Sequence, residues 1–298
     1  MKRDWREVNR RYVREGYVLI GMDFLDTWDD ELRRMNKNKR GRPYEYPESF
    51  IRFLGCIYAY FHIPYRQLEG FLRRLACYIP RLGTPSYTEI FRRIQGLDID
   101  VVSDTAHGGG AVYVALDSTG IKVSNRGDWL ERIWSGRVRR GYLKMHVLVD
   151  ADRREILSLK VSRCNVSDSK MFVPLMEDVS RSRNIVRVYG DGAYSSREHY
   201  RYCGDHNIEP VLRLKRNVSI KNRGAGIWGR HVREFKRLGY EGWKEKYHYE
   251  KRLMVESVFS SFKRRFGEHV RARNEENMVR ELELKACTLN MLWALAGA

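Results

Sequence analysis

One stretch of the chain, YHYEKRLMVESVFSSFKRRFG, sets a single carboxylate among a phenol and two cations: Tyr249, Arg252, Glu256 and Lys263. Wound into an α-helix, these four side chains point within about 60° of one another. Val255, Phe259, Phe262 and Phe266 make a second stripe roughly 80° around the same helix, so one face would be buried and the other presented. A carboxylate flanked by cations is a poor packing surface. It suits a divalent ion, which takes hard oxygen ligands, held beside a phosphate backbone, which takes Arg and Lys.

Two aspartates upstream extend this chemistry. Asp117 closes the apolar run in VYVALDSTG, and Asp191 closes another in VRVYGDGAYSS. A strand-end aspartate is commonly a turn residue, but two neighbouring strands ending in carboxylates would bring both acids to one sheet edge, where open α/β sheets form ligand sites. Alternating or continuous apolar runs predict strands at 112–116, 142–149, 156–161, 185–189 and 210–214, and helices at 167–180 and 196–206. A polar, glycine-containing stretch at 215–246 precedes the motif helix, and a last helix at 279–295 is expected to cover the sheet. The predicted order, β-β-β-α-β-α-β-α, is that of the ribonuclease-H-like fold.

The spacing Tyr-x2-Arg-x3-Glu-x6-Lys resembles the signature around the catalytic glutamate of bacterial and archaeal insertion-sequence transposases of the Asp-Asp-Glu class. Gly190-Asp191-Gly192-Ala193-Tyr194 resembles their Asp-Gly-x-Tyr signature, and LKMHVLVDADRREILSLKV resembles the strand pair after their first aspartate. The resemblance covers roughly residues 111–265. It implies that Asp117, Asp191 and Glu256 are catalytic and bind two Mg2+ ions, with Mn2+ as a substitute and Asp117 bridging the pair. Such a site hydrolyses and transesterifies phosphodiesters, which implies cutting at the element's terminal inverted repeats and joining the 3′-hydroxyls to target DNA. Tyr249 is then a DNA-positioning phenol rather than a covalent nucleophile, Arg252 and Lys263 neutralise phosphates, and a homodimer on DNA is expected. A metal-dependent nuclease on the same fold and a non-catalytic DNA-binding derivative are the alternatives; the second is disfavoured by the intact acid triad.

Composition agrees with a polyanionic partner. The 298 residues carry a net charge of +18, which repels itself and attracts nucleic acid. Residues 1–110 hold 19 Lys or Arg against 15 Asp or Glu, so most of the excess lies in the half with the carboxylates. No apolar run reaches the length of a membrane span, and MKRDWREVNRRYVREG lacks a secretory apolar segment. A cytoplasmic, nucleoid-associated prokaryotic protein is expected. Five scattered cysteines form no CxxC pair and read as reduced thiols.

The glycine run at 106–110 is the expected boundary between a helical N-terminal domain, 1–106, and a ribonuclease-H-like catalytic domain, 111–298. In the first, helices are predicted at 48–61, 65–77 and 86–96, the last opened by a capping box at Ser86-Tyr-Thr-Glu89. The segment 64–96 has the form of a helix-turn-helix offering Arg92 and Arg93 to DNA, or of a plain helical bundle. Within the basic segment at 215–246, residues 217–233 carry Arg223, Arg230 and Arg233 among glycines, and an ordered loop that clamps DNA or inserts Trp228 beside an unpaired base competes with a disordered one. His146 and Asp168 lie near element ends close to the expected site and are given no role.

Overall fold

The computed structural model describes residues 4–99, 101, 110–123, 142–215, 217–221 and 226–297. The chain folds as two units: Met1–Asp100 together with Asn274–Ala298, and Val101–Arg273. Of the expected glycine boundary, residues 106–109 lie outside the described residues.

In the first unit, α1 (Trp5–Val18), α2 (Phe24–Asn36), α3 (Glu48–Phe61), α4 (Tyr65–Leu75) and α5 (Tyr87–Gln95) surround a core of Phe50, Ile51, Leu54, Leu68, Leu72, Ile90 and Ile94. The cap expected of α5 is formed: Ser86 Oγ accepts the Glu89 N–H at 3.3 Å. Residues 76–86 join α4 to α5, a longer link than the three or four residues of a helix-turn-helix. The last helix, Glu275–Gly297, expected as a cover for the sheet, belongs to the first unit. It folds with α1 and α3, and its Leu284 enters the helical core. Helical spacing reveals that such a segment has an apolar face but not which core the face will join.

The second unit is built on β-branched and aliphatic runs that pair as a mixed sheet. Its strands are β1 (Ala111–Lys122), β2 (Tyr142–Asp150), β3 (Ile156–Arg163), β4 (Asn184–Gly190) and β5 (Glu209–Leu212), in the order β3-β2-β1-β4-β5. The first three pair antiparallel, while β4 and β5 add parallel to β1. This is the ribonuclease-H-like arrangement expected from the element order. A 3-10 turn (Asp168–Met171) leads into α6 (Phe172–Ser180), and α7 (Arg197–Asp205) joins β4 to β5. Val112, Val114 and Leu116 share one core with Phe172, Leu175, Tyr200 and Trp228. Strand alternation turns Ala115 and Asp117 to the opposite face.

The segment expected as a basic loop is largely helical. α8 spans Gly226–Tyr247 and is broken at Gly239, whose φ of 70° few side-chain-bearing residues adopt. Its glycines and charges hid the helix, but Trp228, Val232 and Phe235 recur at helical spacing and pack into the sheet core. Trp228 is buried and donates its indole N–H to Ser219 O at 2.9 Å, so it is a core anchor and not an intercalating ring.

His231, buried between the Tyr200 and Tyr247 rings, has no hydrogen-bond partner at Nδ1 among the described residues. Burial pushes its pKa from 6.5 down to about 4, as it does for buried His146. The unfolded chain therefore binds these protons more readily, and the stability they contribute above pH 6.5 is lost as pH falls towards 4. Glu155, pushed up to about 7 mainly by burial, acts oppositely and stabilises as pH falls from 7 to 4.5. Thermal melting across pH 4–8 should show a net acid loss, and His231→Phe should make that loss shallower.

Candidate functional site

Asp117 and Asp191 reach the site from adjacent parallel strands. Ala115 on β1 is level with Tyr189 on β4, which carries the register on to Asp117 beside Asp191 just past the end of β4. β1 does not stop at Asp117 as expected but runs on to Lys122, paired with β2; the polar residues Ser118 and Thr119 mask a strand that its neighbour's backbone completes. At the end of β4, Gly190 permits close packing: a Cβ there would lie 2.8 Å from Leu212 Cδ2.

The third acid comes from α9 (Leu253–Phe266), whose Val255, Val258, Phe259, Phe262 and Phe266 are buried as the apolar stripe requires. α9 lies against β1 and β2. Glu256 in its first turn and Lys263, Arg264 and Arg265 in its last suit the helix dipole. The preceding residues are not α-helical: Tyr249–Arg252 form a 3-10 turn entered through His248 in the left-handed region. This corrects the continuous functional stripe. Tyr249 is buried against Trp243, with ring centroids 5.0 Å apart, and donates its hydroxyl to Gly190 O at 3.1 Å. Burial raises its pKa to about 12. It anchors the turn to the end of β4 instead of presenting a phenol to DNA. Tyr249→Phe should cost about 1 kcal/mol, a typical net hydrogen bond, in denaturant unfolding while leaving DNA affinity unchanged in a binding titration.

Arg252 keeps its expected place one turn from Glu256, with its guanidinium engaged by acids. Its Nη1 donates to Asp117 Oδ2 at 2.9 Å and its Nη2 pairs with Glu256, so the fork bridges two of the three acids. The side chains are 21% exposed for Asp117, 18% for Arg252 and 51% for Glu256. Asp117 Oδ1 accepts the Ser118 N–H at 2.8 Å, and Asp191 Oδ1 accepts the Ala193 N–H at 2.8 Å. The Asp117 carboxyl is held above its ordinary pKa, chiefly by burial and further by the charges of Asp191 and Glu256, against the Ser118 amide and Arg252. All three acids thus share one electrostatic site. Among the described residues no three metal-ligand side chains are gathered tightly enough to hold an ion as they stand. The donor set nevertheless fits a hard divalent cation: the acids converge, and a cation already lies between two of them.

Around this centre lies a polar layer that the sequence reading left without a role. Lys144 Nζ donates to Asp168 Oδ1 at 3.0 Å and to Val166 O at 2.9 Å, and His146 Nε2 meets Ser162 Oγ at 2.8 Å. His146, neutral at its depressed pKa, makes no charged pair with Asp168 at neutral pH. Tyr194 is buried, and its pKa is pushed up first by burial and then by Asp117, Asp168 and Asp191. The period-2 pattern of β2 signals that Lys144 and His146 share a face, but only the fold brings Asp168 against them.

The other expected contact residues are split. Lys263 is half-buried on α9 and makes no ion pair among the described residues. Arg92 is exposed at the end of α5, whereas Arg93 is tied down, donating to Tyr46 O at 3.1 Å and lying over the Tyr44 ring. No described helix is long and apolar enough to cross a membrane.

A family model described as a transposase DDE domain matches residues 108–291, and a second with the same description matches residues 13–126. Remote likenesses among solved structures include the piggyBac transposase synaptic complex with hairpin DNA, at 9% identity over 96% of this chain and 75% of that one, with a TM-score of 0.44. The Drosophila P element transposase strand transfer complex is similar at 11% identity over 91% of this chain and 85% of that one, with a TM-score of 0.35. With its first match spanning most of the chain, this protein belongs to the DDE transposase family.

Proposed function

We propose that the chain is the DNA transposase of an insertion sequence, cutting at the ends of its element and joining the 3′-hydroxyls to target DNA. The observation that carries this reading is that Asp117, Asp191 and Glu256 share one electrostatic site, with the cationic fork of Arg252 between two of them. Two divalent ions of the Mg2+ type, replaceable by Mn2+, would be held by Asp117, Asp191 and Glu256, and supply polarisation of the scissile phosphate and activation of the attacking hydroxyl.

The chain's own residues do the positioning. Parallel pairing of β1 with β4 fixes Asp117 beside Asp191, the two backbone N–H bonds hold their orientation, and Tyr249 ties the turn before α9 to the end of β4. Lys263 serves as a point charge for a backbone phosphate. Arg92, exposed on α5, serves as a DNA contact of the helical unit, and Arg93 is a structural residue of that unit. Two element ends must meet, so the active form is a homodimer on DNA, working in the cytoplasm at the nucleoid. Lys263→Ala should weaken binding across all duplex sequences and lower the slope of log K against log salt by about 1; an unchanged slope in salt titrations would remove Lys263 from the DNA path.

The direct test incubates the purified protein with duplex carrying the DNA that flanks its gene and a target plasmid, in Mg2+ or EDTA. Metal-dependent joined products support the proposal. Nicking without joining would make the chain a nuclease, and binding without either reaction would make it a non-catalytic relative.

A further inference from the structure

We infer that Arg252 is an internal stand-in for the divalent ion: in the metal-free chain its guanidinium occupies the carboxylate oxygens of Asp117 and Glu256, and cation entry displaces it. The inference rests on the proposed reading of these acids as ligands and goes beyond it by assigning the arginine a second position. With Asp117 Oδ1 taken by the Ser118 amide at 2.8 Å, Oδ2 is the better oxygen for a cation, and Arg252 Nη1 holds it at 2.9 Å. The other arm of the fork holds Glu256. A planar, permanently charged fork suits two carboxylates far better than a point charge does. Asp117 and Arg252 are both mostly buried, and leaving three acids together without a counter-charge would be costly.

Displacement has a consequence for DNA. Arg252 sits at the junction of the 3-10 turn and α9, and its neighbour Lys251 is already engaged with Asp152 at 2.6 Å. Once released, the Arg252 fork is the free cation of that turn, and a backbone phosphate is the anion it would meet. Metal loading and phosphate capture are therefore linked, each favouring the other by the same factor.

The test counts free Mn2+ by its electron paramagnetic resonance signal during titration of the full chain without DNA. Arg252→Gln should bind Mn2+ about tenfold more tightly than wild type, the equivalent of about 1.4 kcal/mol. Arg252→Lys, which keeps the charge but not the fork, should fall between them. Lys251→Gln removes a neighbouring charge without freeing a ligand and should leave affinity within a factor of about two. In EDTA, Arg252→Gln should melt below wild type, with the gap narrowing in Mn2+; if it does not fold, the Lys variant carries the comparison. Equal affinity in wild type and the Arg252 variants, with Glu256→Gln weakening binding, would overturn the stand-in role while preserving the metal site. Equal gains in Arg252→Gln and Lys251→Gln would reduce the effect to general repulsion and also overturn it. Absence of site-specific Mn2+ binding in every variant, with Glu256→Gln silent, would overturn the ligand assignment and the inference together.

Discussion

Glu256→Gln should retain DNA binding while strand cleavage and joining fall by at least on the order of 10²–10³-fold, the cost of removing one group that stabilises developing charge. The amide keeps the length and shape of the side chain but loses the anionic oxygens a divalent ion requires. Little loss of stability should accompany it. Glu256 is 51% exposed, and an ion pair of that exposure contributes at most about 1 kcal/mol. The measurement is a time course of nicked and joined products alongside a binding titration and a thermal melt. Wild-type cleavage would sink the metal-ligand role of Glu256. Loss of all three readouts would mean that the side chain is structural.

The largest stability effect is expected from Trp243→Ala, at about 3–5 kcal/mol, as for other buried aromatic truncations. Trp243 is 1% exposed and packs against Phe235, Tyr247 and Tyr249, with ring centroids 5.0–5.8 Å apart. Removing it leaves a cavity directly beneath the turn that carries Tyr249 and Arg252. The urea midpoint should fall with an unchanged m-value if unfolding stays two-state, and joining should weaken even below the melting temperature because the turn loses its support. A change in stability with full activity would show that Tyr249 alone, through Gly190 O, suffices to hold the turn.

The sequence by itself determined the sheet and the order of its elements, because apolar β-branched runs and their alternation depend on local composition. The spacing of Val255, Phe259, Phe262 and Phe266 was enough to orient α9, and Asp117 and Asp191 could be set side by side because neighbouring parallel strands carry them. The tertiary structure alone decided the rest. Residues 226–247 became a helix because buried Trp228, Val232 and Trp243 outweigh the low helix propensity of their glycines. The final helix joined the helical unit because an amphipathic pattern records a buried face and not its partner. Tyr249 left the expected stripe because the backbone takes a 3-10 turn where the sequence implied a continuous α-helix, while Arg252 stayed one turn from Glu256 and pairs with it. That turn buries the phenol against Trp243 and carries the guanidinium to Asp117, a contact between residues 135 positions apart that no local spacing could encode.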